Sequence, residues 1–241
     1  MRFFVAEPLI KHADITLPDD VAHHLVRVLR SDVGTRFALF DGTGGAHEAE
    51  LIEAGKKIAR ARLLTFIPDD HESSLRTHIG QVMSRGERMD YAIQKATELG
   101  VSEITPLSSE RCEMKLRGEE RADKKIEHWR RVAISACEQC GRNRVPVIHA
   151  PMHVNDWLTQ VQAERKLVLA PSADRGIISE PEKAHSVALL IGPEGGLSDT
   201  EISLAQQKGF AAWQVGPRVF RTETAPVAVL AVLQWLWGDF R

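Results

Sequence analysis

From residue 78 onward, short apolar runs alternate with amphipathic helical periods, and this alternation limits the possible folds more than any other feature. Strand-like runs fall at 79–83, 101–107, 145–148, 166–169, 187–191 and 211–215. Helical spacing covers 88–99, 119–140, 154–163 and 199–208, and an apolar helix follows from 225. Strands that are apolar on both faces need cover on both faces, so the pattern predicts an α/β domain with a parallel sheet. Gly100 supplies one helix stop, and Ser198 with Glu201 has the spacing of a capping box.

The first 70 residues have a different pattern. Runs at 36–40, 46–52 and 57–64 alternate apolar and polar residues, and the turn Asp41-Gly42-Thr43-Gly44-Gly45 joins the first two. Short strands with tight glycine turns predict a small β-barrel, interrupted by a helix over 20–30. The polar stretch 68–74 has linker composition. The chain therefore divides into residues 1–72 and 73–241.

Bulk properties exclude several classes. Three cysteines, Cys112, Cys137 and Cys140, are too few for a disulfide framework and fit a reducing compartment. The N-terminus lacks the apolar core of a signal peptide, and the apolar run 225–233 is too short to span a bilayer. A cytoplasmic protein with no membrane partner is expected. A net charge of −2 rules out a uniformly basic nucleic-acid coat but leaves room for local basic groups. Such groups include Arg27 with Arg30, and Arg142 with Arg144.

Two Gly/Pro loops carry the chemistry. Ile191-Gly192-Pro193-Glu194-Gly195-Gly196-Leu197 and 215–225 each join a strand to a helix, which predicts backbone approaching a small ligand from two adjacent strand ends. No Gly-Lys-Ser/Thr follows the first loop, and the dinucleotide spacing is missing, so neither phosphate-cradling fingerprint applies. In the second loop Thr224 reads as an N-cap with Pro226 just inside the helix. Arg221 and Glu223 are then charges at the mouth of the sheet, available for substrate contact or catalysis. Cys137-Glu138-Gln139-Cys140 has no second ligand pair and sits at a helix end, so packing is expected there and no metal.

Taken together, 187–201, 215–225, 81–87, 94–100, 136–146 and 24–30 resemble the bacterial 16S ribosomal RNA (uracil-N3) methyltransferases of the SPOUT superfamily. The resemblance implies an N-terminal PUA-like RNA-binding β-barrel and a C-terminal SPOUT-type parallel sheet with a trefoil knot. Periodicity alone predicts an ordinary doubly wound sheet. The resemblance also implies a homodimer, 16S rRNA of the small ribosomal subunit as partner, and S-adenosylmethionine as cofactor. Matching positions assign the cofactor to Leu169, Ala170 and Pro171; to Ile191, Gly192, Glu194 and Gly196; and to Val215, Gly216, Val219, Phe220 and Thr224. Arg27, Arg30, Arg85, Arg142 and Arg144 are the expected RNA contacts.

Uracil N3 carries a proton at neutral pH, so it must lose that proton and be held in line with the methyl donor. Positioning supplies about 7–11 kcal/mol of such a barrier, and a general base contributes roughly 10²–10⁴-fold. Guanidinium does not deprotonate in proteins, so Arg221 can stabilise the anion or hold a phosphate, and Glu223 is the candidate base. Because N3 lies on the Watson–Crick edge, the target base must be unpaired or splayed out. Two alternatives share these motifs: a non-catalytic RNA-binding protein with a vestigial pocket, and an enzyme that methylates a ribose or another base.

Overall fold

Alternating burial along three long strands builds the N-terminal sheet. The computed structural model describes residues 1–55, 58–69, 71–114, 118–170 and 183–240. They form two units, one of residues 1–72 with 137–145, the other of residues 73–136 with 146 onward. In the first unit, Ala59, Ala61 and Leu63 of β5 (Ala59–Ile67) point inward while Arg60 and Arg62 point to solvent. β5 pairs antiparallel with β4 (Ala46–Ala54), and β4 pairs antiparallel with β3 (Arg36–Phe40). The sheet order is β1-β3-β4-β5-β2, with β1 (Arg2–Phe4) parallel to β3 and β2 (Asp14–Thr16) antiparallel to β5. Hydrogen bonding thus follows an open path rather than a closed ring among the described residues. Register shifts after His47 and Leu51 kink β4, which lets the sheet curl around Phe3, Leu25, Phe37, Leu39, Leu51 and Leu63.

The expected helix over 20–30 is not a regular α-helix. α1 (Asp19–Ala22) widens into a π-helix over His23–Val28, where Leu29 N–H donates to the His24 carbonyl five residues back. Arg30 ends the segment at φ 52°, a left-handed conformation that is unusual for a residue with a side chain.

The strip 137–145 belongs to this first unit, although its sequence continues a helix. Cys137 packs with Phe40 and Ala46. The Phe4 N–H donates to Glu138 Oε1 at 2.9 Å, and Asn143 donates its amide to the Asp69 carbonyl at 2.6 Å. The Arg2 guanidinium bonds Asn143 Oδ1 and also reaches the Arg142 carbonyl at 3.3 Å. Burial pushes the Cys137 thiol up to about 12, and it also raises the Glu138 carboxyl, against the hydrogen bond from Phe4.

The second unit is an α/β layer structure. Its sheet is wholly parallel, in the order β12-β10-β11-β6-β7-β8, with a short β9 (Met152–His153) also on β7 (Glu103–Ser108). The remaining strands are β6 (Arg76–Val82), β8 (Val147–Ile148), β10 (Arg165–Leu169), β11 (Ser186–Ile191) and β12 (Ala211–Trp213). Val187 to Ile191 are all buried, as expected for a strand covered on both faces. Between the strands lie α2 (Arg88–Glu98), α3 (Glu119–Cys140), α4 (Val154–Gln160) and α5 (Asp199–Gln207); α6 (Thr224–Trp237) follows β12.

Trp129, Ala133 and Ala136 of α3 form the buried stripe expected from their spacing. The Ser198–Glu201 capping box is present, with bonds of 2.9 and 3.2 Å. α4 stops at Gln160 rather than near 163, because Val161 turns to extended backbone. Among the described residues, no helix is long and apolar enough to cross a membrane.

Candidate functional site at the C-terminal edge of the parallel sheet

Because every strand of this sheet runs the same way, their C-terminal ends share one edge. Strand register places Trp213 beside Leu169, and Ile191 beside Gln81. Val168 pairs with Leu190, which brings Leu169 next to Ile191 and completes one row across the sheet. The loops that leave this row are the Gly/Pro loops and the stretch after Leu169. β11 and β12 are not neighbours as expected from the sequence; β10 lies between them. Three strand ends therefore contribute, and β6 adds a fourth through Gln81.

Thr222 ties these ends together. Its hydroxyl donates to the Gly192 carbonyl at 2.8 Å and accepts from the Gln81 amide at 3.0 Å. Gln81 Nε2 also reaches the Val82 carbonyl at 3.2 Å. The loop after β12 thus crosses the end of β10 to reach the loop after β11. Neither Gln81 nor Thr222 stands out by periodicity or charge; the sequence places Thr222 within the second loop and Gln81 at a strand end, without singling out either side chain. The only signal was their position, one at a strand end and one inside the charged string 221–224.

The first loop is closely folded. A Cβ at position 192 would lie 3.0 Å from the Leu197 nitrogen and 3.1 Å from its Cγ, so glycine is what lets the chain fold back. Gly196 has φ 70° and donates to the Pro193 carbonyl at 2.9 Å. Arg111 donates to the carbonyls of Gly195 at 3.1 Å and Leu197 at 3.3 Å, which holds the loop from outside. Arg88 of α2 pairs with Glu194 at 2.6 Å. Partial burial raises the Glu194 carboxyl, but backbone hydrogen bonds and Arg88 outweigh it and hold the group below its ordinary range.

The second loop departs from expectation at its helix start. Thr224 is the first residue of α6 rather than its N-cap; Glu223 holds that place without a side-chain cap. The Arg221 carbonyl accepts from both Thr224 and Ala225, which starts the helical turn one residue early. Gly216 takes φ 74°, Val219 is exposed, and Val215 and Phe220 are half-buried. Arg221 is exposed. Glu223 is half-buried, and its Oε2, like Gln81 Oε1, is buried with no hydrogen-bond partner among the described residues. Such orphaned acceptors are costly unless a ligand donor satisfies them.

Among the other expected residues, Leu169 and Ala170 stand at the end of β10, and Pro171 lies outside the described residues. Arg85 is exposed and pairs with Glu113 at 3.2 Å. In the first unit Arg27, Arg30 and Arg144 are exposed. Arg142 is instead buried and doubly bonded to Glu72, at 2.8 and 2.6 Å. Burial pulls its guanidinium down, but Glu72 more than restores it and the charge is kept. That bidentate pair gives Arg142 a structural task.

Comparison with known proteins agrees with this geometry. The family model described as RNA methyltransferase domain matches residues 71–234, and that of the RNA methyltransferase PUA domain matches 17–64. The chain is 39% identical to a ribosomal RNA small subunit methyltransferase E of Buchnera aphidicola, over 93% of this chain and 92% of that one. It is 28% identical to the protein of the same name from Bacillus subtilis, over 91% and 89%.

Among solved structures, a ribosomal RNA small subunit methyltransferase E from Neisseria gonorrhoeae bound to S-adenosyl methionine is similar at TM-score 0.90 and 39% identity. The match covers 100% of this chain and 99% of that one. A methyltransferase from Legionella pneumophila with bound cofactor SAM is similar at TM-score 0.93 and 37% identity, covering 99% and 98%. A chain that carries both domain signatures, resembles these relatives along nearly its whole length and joins its sheet ends through Gly/Pro loops belongs to the ribosomal RNA small subunit methyltransferase E family.

Proposed function

We propose that this protein transfers a methyl group from S-adenosylmethionine to N3 of a specific uridine in 16S rRNA of the small ribosomal subunit. The observation that carries the reading is the Gln81–Thr222–Gly192 junction at the C-terminal strand ends, with Arg221 and Glu223 on either side of Thr222. The residues fit the cofactor. It carries ammonium, ribose hydroxyl and adenine amine donors, and this edge offers on Gln81 a buried acceptor oxygen without a partner among the described residues. Relatives at 37% and 39% identity hold the same molecule.

The Gly192 and Gly196 backbone, the end of β10 and the 215–220 loop form the cofactor's cradle. When bound, the cofactor supplies an electrophilic methyl group on sulfur. Glu223 takes the N3 proton through Oε2, and Arg221 supplies positive charge to the uracil anion that develops. Arg27, Arg30 and Arg144 on the first unit and Arg85 on the second make phosphate contacts, which position the RNA without reading its sequence.

The passage of the 214–223 loop across the end of β10 supports a knotted C-terminal domain. α6 supports a homodimer, since Val227, Ala228, Ala231 and Val232 remain half-exposed and Trp235 is 61% exposed on an otherwise apolar helix.

The test is incubation with tritiated S-adenosylmethionine and small subunits lacking the modification, followed by nucleoside analysis. Label in N3-methyluridine is expected. Label in a ribose or in another base would overturn the N3 assignment, and absence of both turnover and cofactor binding would favour a vestigial pocket.

A further inference from the structure

The opposite edge of the same sheet carries a second constellation that the proposed chemistry does not use. His78 of β6 is paired in register with Glu103, the first residue of β7, and Glu103 with Val147 of β8. His149 follows β8 directly, with its N–H on the Ile104 carbonyl. The first residues of β6 and β7 and the end of the short β8 therefore bring two imidazoles and one carboxylate together. His149 Nε2 lies 2.8 Å from Glu103 Oε2, and His78 Nδ1 lies 3.9 Å from the same oxygen. All three donor atoms fall within 4.8 Å of one another. Gln81 is three residues further along β6, so the cluster is about 10 Å from the Gly/Pro loops along the strand.

We infer that His78, Glu103 and His149 form a binding site for a divalent transition-metal ion of the zinc type. Two imidazole nitrogens and a carboxylate are a donor set that zinc takes, and ligand bonds near 2.0–2.2 Å put tetrahedral donor atoms about 3.4 Å apart. The 2.8 and 3.9 Å separations lie on either side of that value, so small side-chain rotations suffice.

Thr105 Oγ1 lies 2.8 Å from His78 Nε2, and the Trp157 indole N–H donates to the same nitrogen at 3.3 Å, so without a metal the neutral ring carries its proton on Nδ1. Metal binding at Nδ1 moves that proton to Nε2, where Thr105 Oγ1 accepts it and the Trp157 bond is lost. Trp157 packs edge-on against the His78 ring at 5.4 Å and His149 stacks on it at 5.2 Å, which limits its rotation. The other Glu103 oxygen faces Arg76 at 3.4 Å. His149 and Glu103 keep part of their side chains exposed, so an ion can enter and a water can complete its coordination. The ligands are dispersed in sequence, which is why their spacing gave no sign of a metal.

Equilibrium dialysis of the full chain against zinc, with metal analysis, tests the site. One tightly held zinc per chain is expected, together with a zinc-dependent rise in Tm. Cobalt substitution should give the intense visible bands of a four-coordinate ion. His149→Gln, a half-exposed position, should weaken binding by at least about tenfold and abolish the cobalt bands. Glu103→Gln is the second variant and should do the same. Absence of stoichiometric zinc in the unaltered protein, or full retention of zinc in both variants, would overturn the inference and leave a hydrogen-bonded His–Glu–His cluster.

Discussion

The Thr222 hydroxyl donates to the Gly192 carbonyl at 2.8 Å while it accepts from Gln81, so a single oxygen joins loops from two strands that are not neighbours in the sheet. Replacing Thr222 by valine keeps the shape and removes both bonds. A buried polar group left without its partner costs about 1–3 kcal/mol. Thr222→Val should lower stability by that amount in urea unfolding. It should also weaken S-adenosylmethionine binding in calorimetric titration, because the loops lose their fixed spacing.

Arg221 and Glu223 act on the reacting base, in the reading proposed here, rather than on the cofactor. Arg221→Ala should slow single-turnover methylation by roughly 10²–10³-fold, as removing an anion stabiliser does. Glu223→Gln should slow it by roughly 10²–10⁴-fold, the range for loss of a general base. Cofactor affinity should change far less in Arg221→Ala. Unchanged single-turnover rates in both variants would remove these residues from catalysis.

Gly80 offers a test of the core beneath the site. A Cβ there would lie 2.8 Å from the Trp157 ring and 2.9 Å from Leu107 Cδ1. Gly80→Ala should therefore destabilise the second unit by about 1–3 kcal/mol, the usual cost of overpacking. Urea unfolding should show a lower midpoint with an unchanged slope.

Glu138 gives a pH dependence whose sign follows from its burial. Its folded-state carboxyl titrates above its ordinary value, so the folded state holds the proton more tightly than the unfolded state. The associated stability is fully present below the unfolded value and is lost as pH rises through the folded one. Glu138→Gln keeps an oxygen for the Phe4 N–H and removes the charge. The variant should equal or exceed the parent in stability at neutral pH, and the parent should gain on it as pH falls through the carboxylate range.

Much of this architecture was legible from residue patterns. The parallel sheet followed from apolar runs such as 187–191, the capping box from Ser198 and Glu201, and the long helix from the Trp129 stripe. β1 and β2 were not legible because three-residue strands show no period, and the π-helix was missed because its apolar spacing imitates an α-helix. The two glycine loops marked the candidate site. The junction that fixes them did not show, since Gln81 and Thr222 lie 141 residues apart and join through one hydroxyl. Arg142 shows what a residue pattern leaves out: within a basic group it is expected to contact RNA, and its buried pairing with Glu72 becomes visible only in the fold.

The strip 137–145 that completes the first unit has a consequence for biosynthesis. Residues 1–72 leave the ribosome first, yet the partners of Phe4, Arg2, Asp69 and Glu72 are not made until more than sixty residues later. At about 5–20 residues per second, the nascent RNA-binding end waits several seconds for its last segment. During that interval Phe40 and Ala46 lack the cover that Cys137 later provides. A fragment ending at residue 72 is therefore an unfinished domain rather than a separable one, and the two halves of this enzyme mature on a shared schedule.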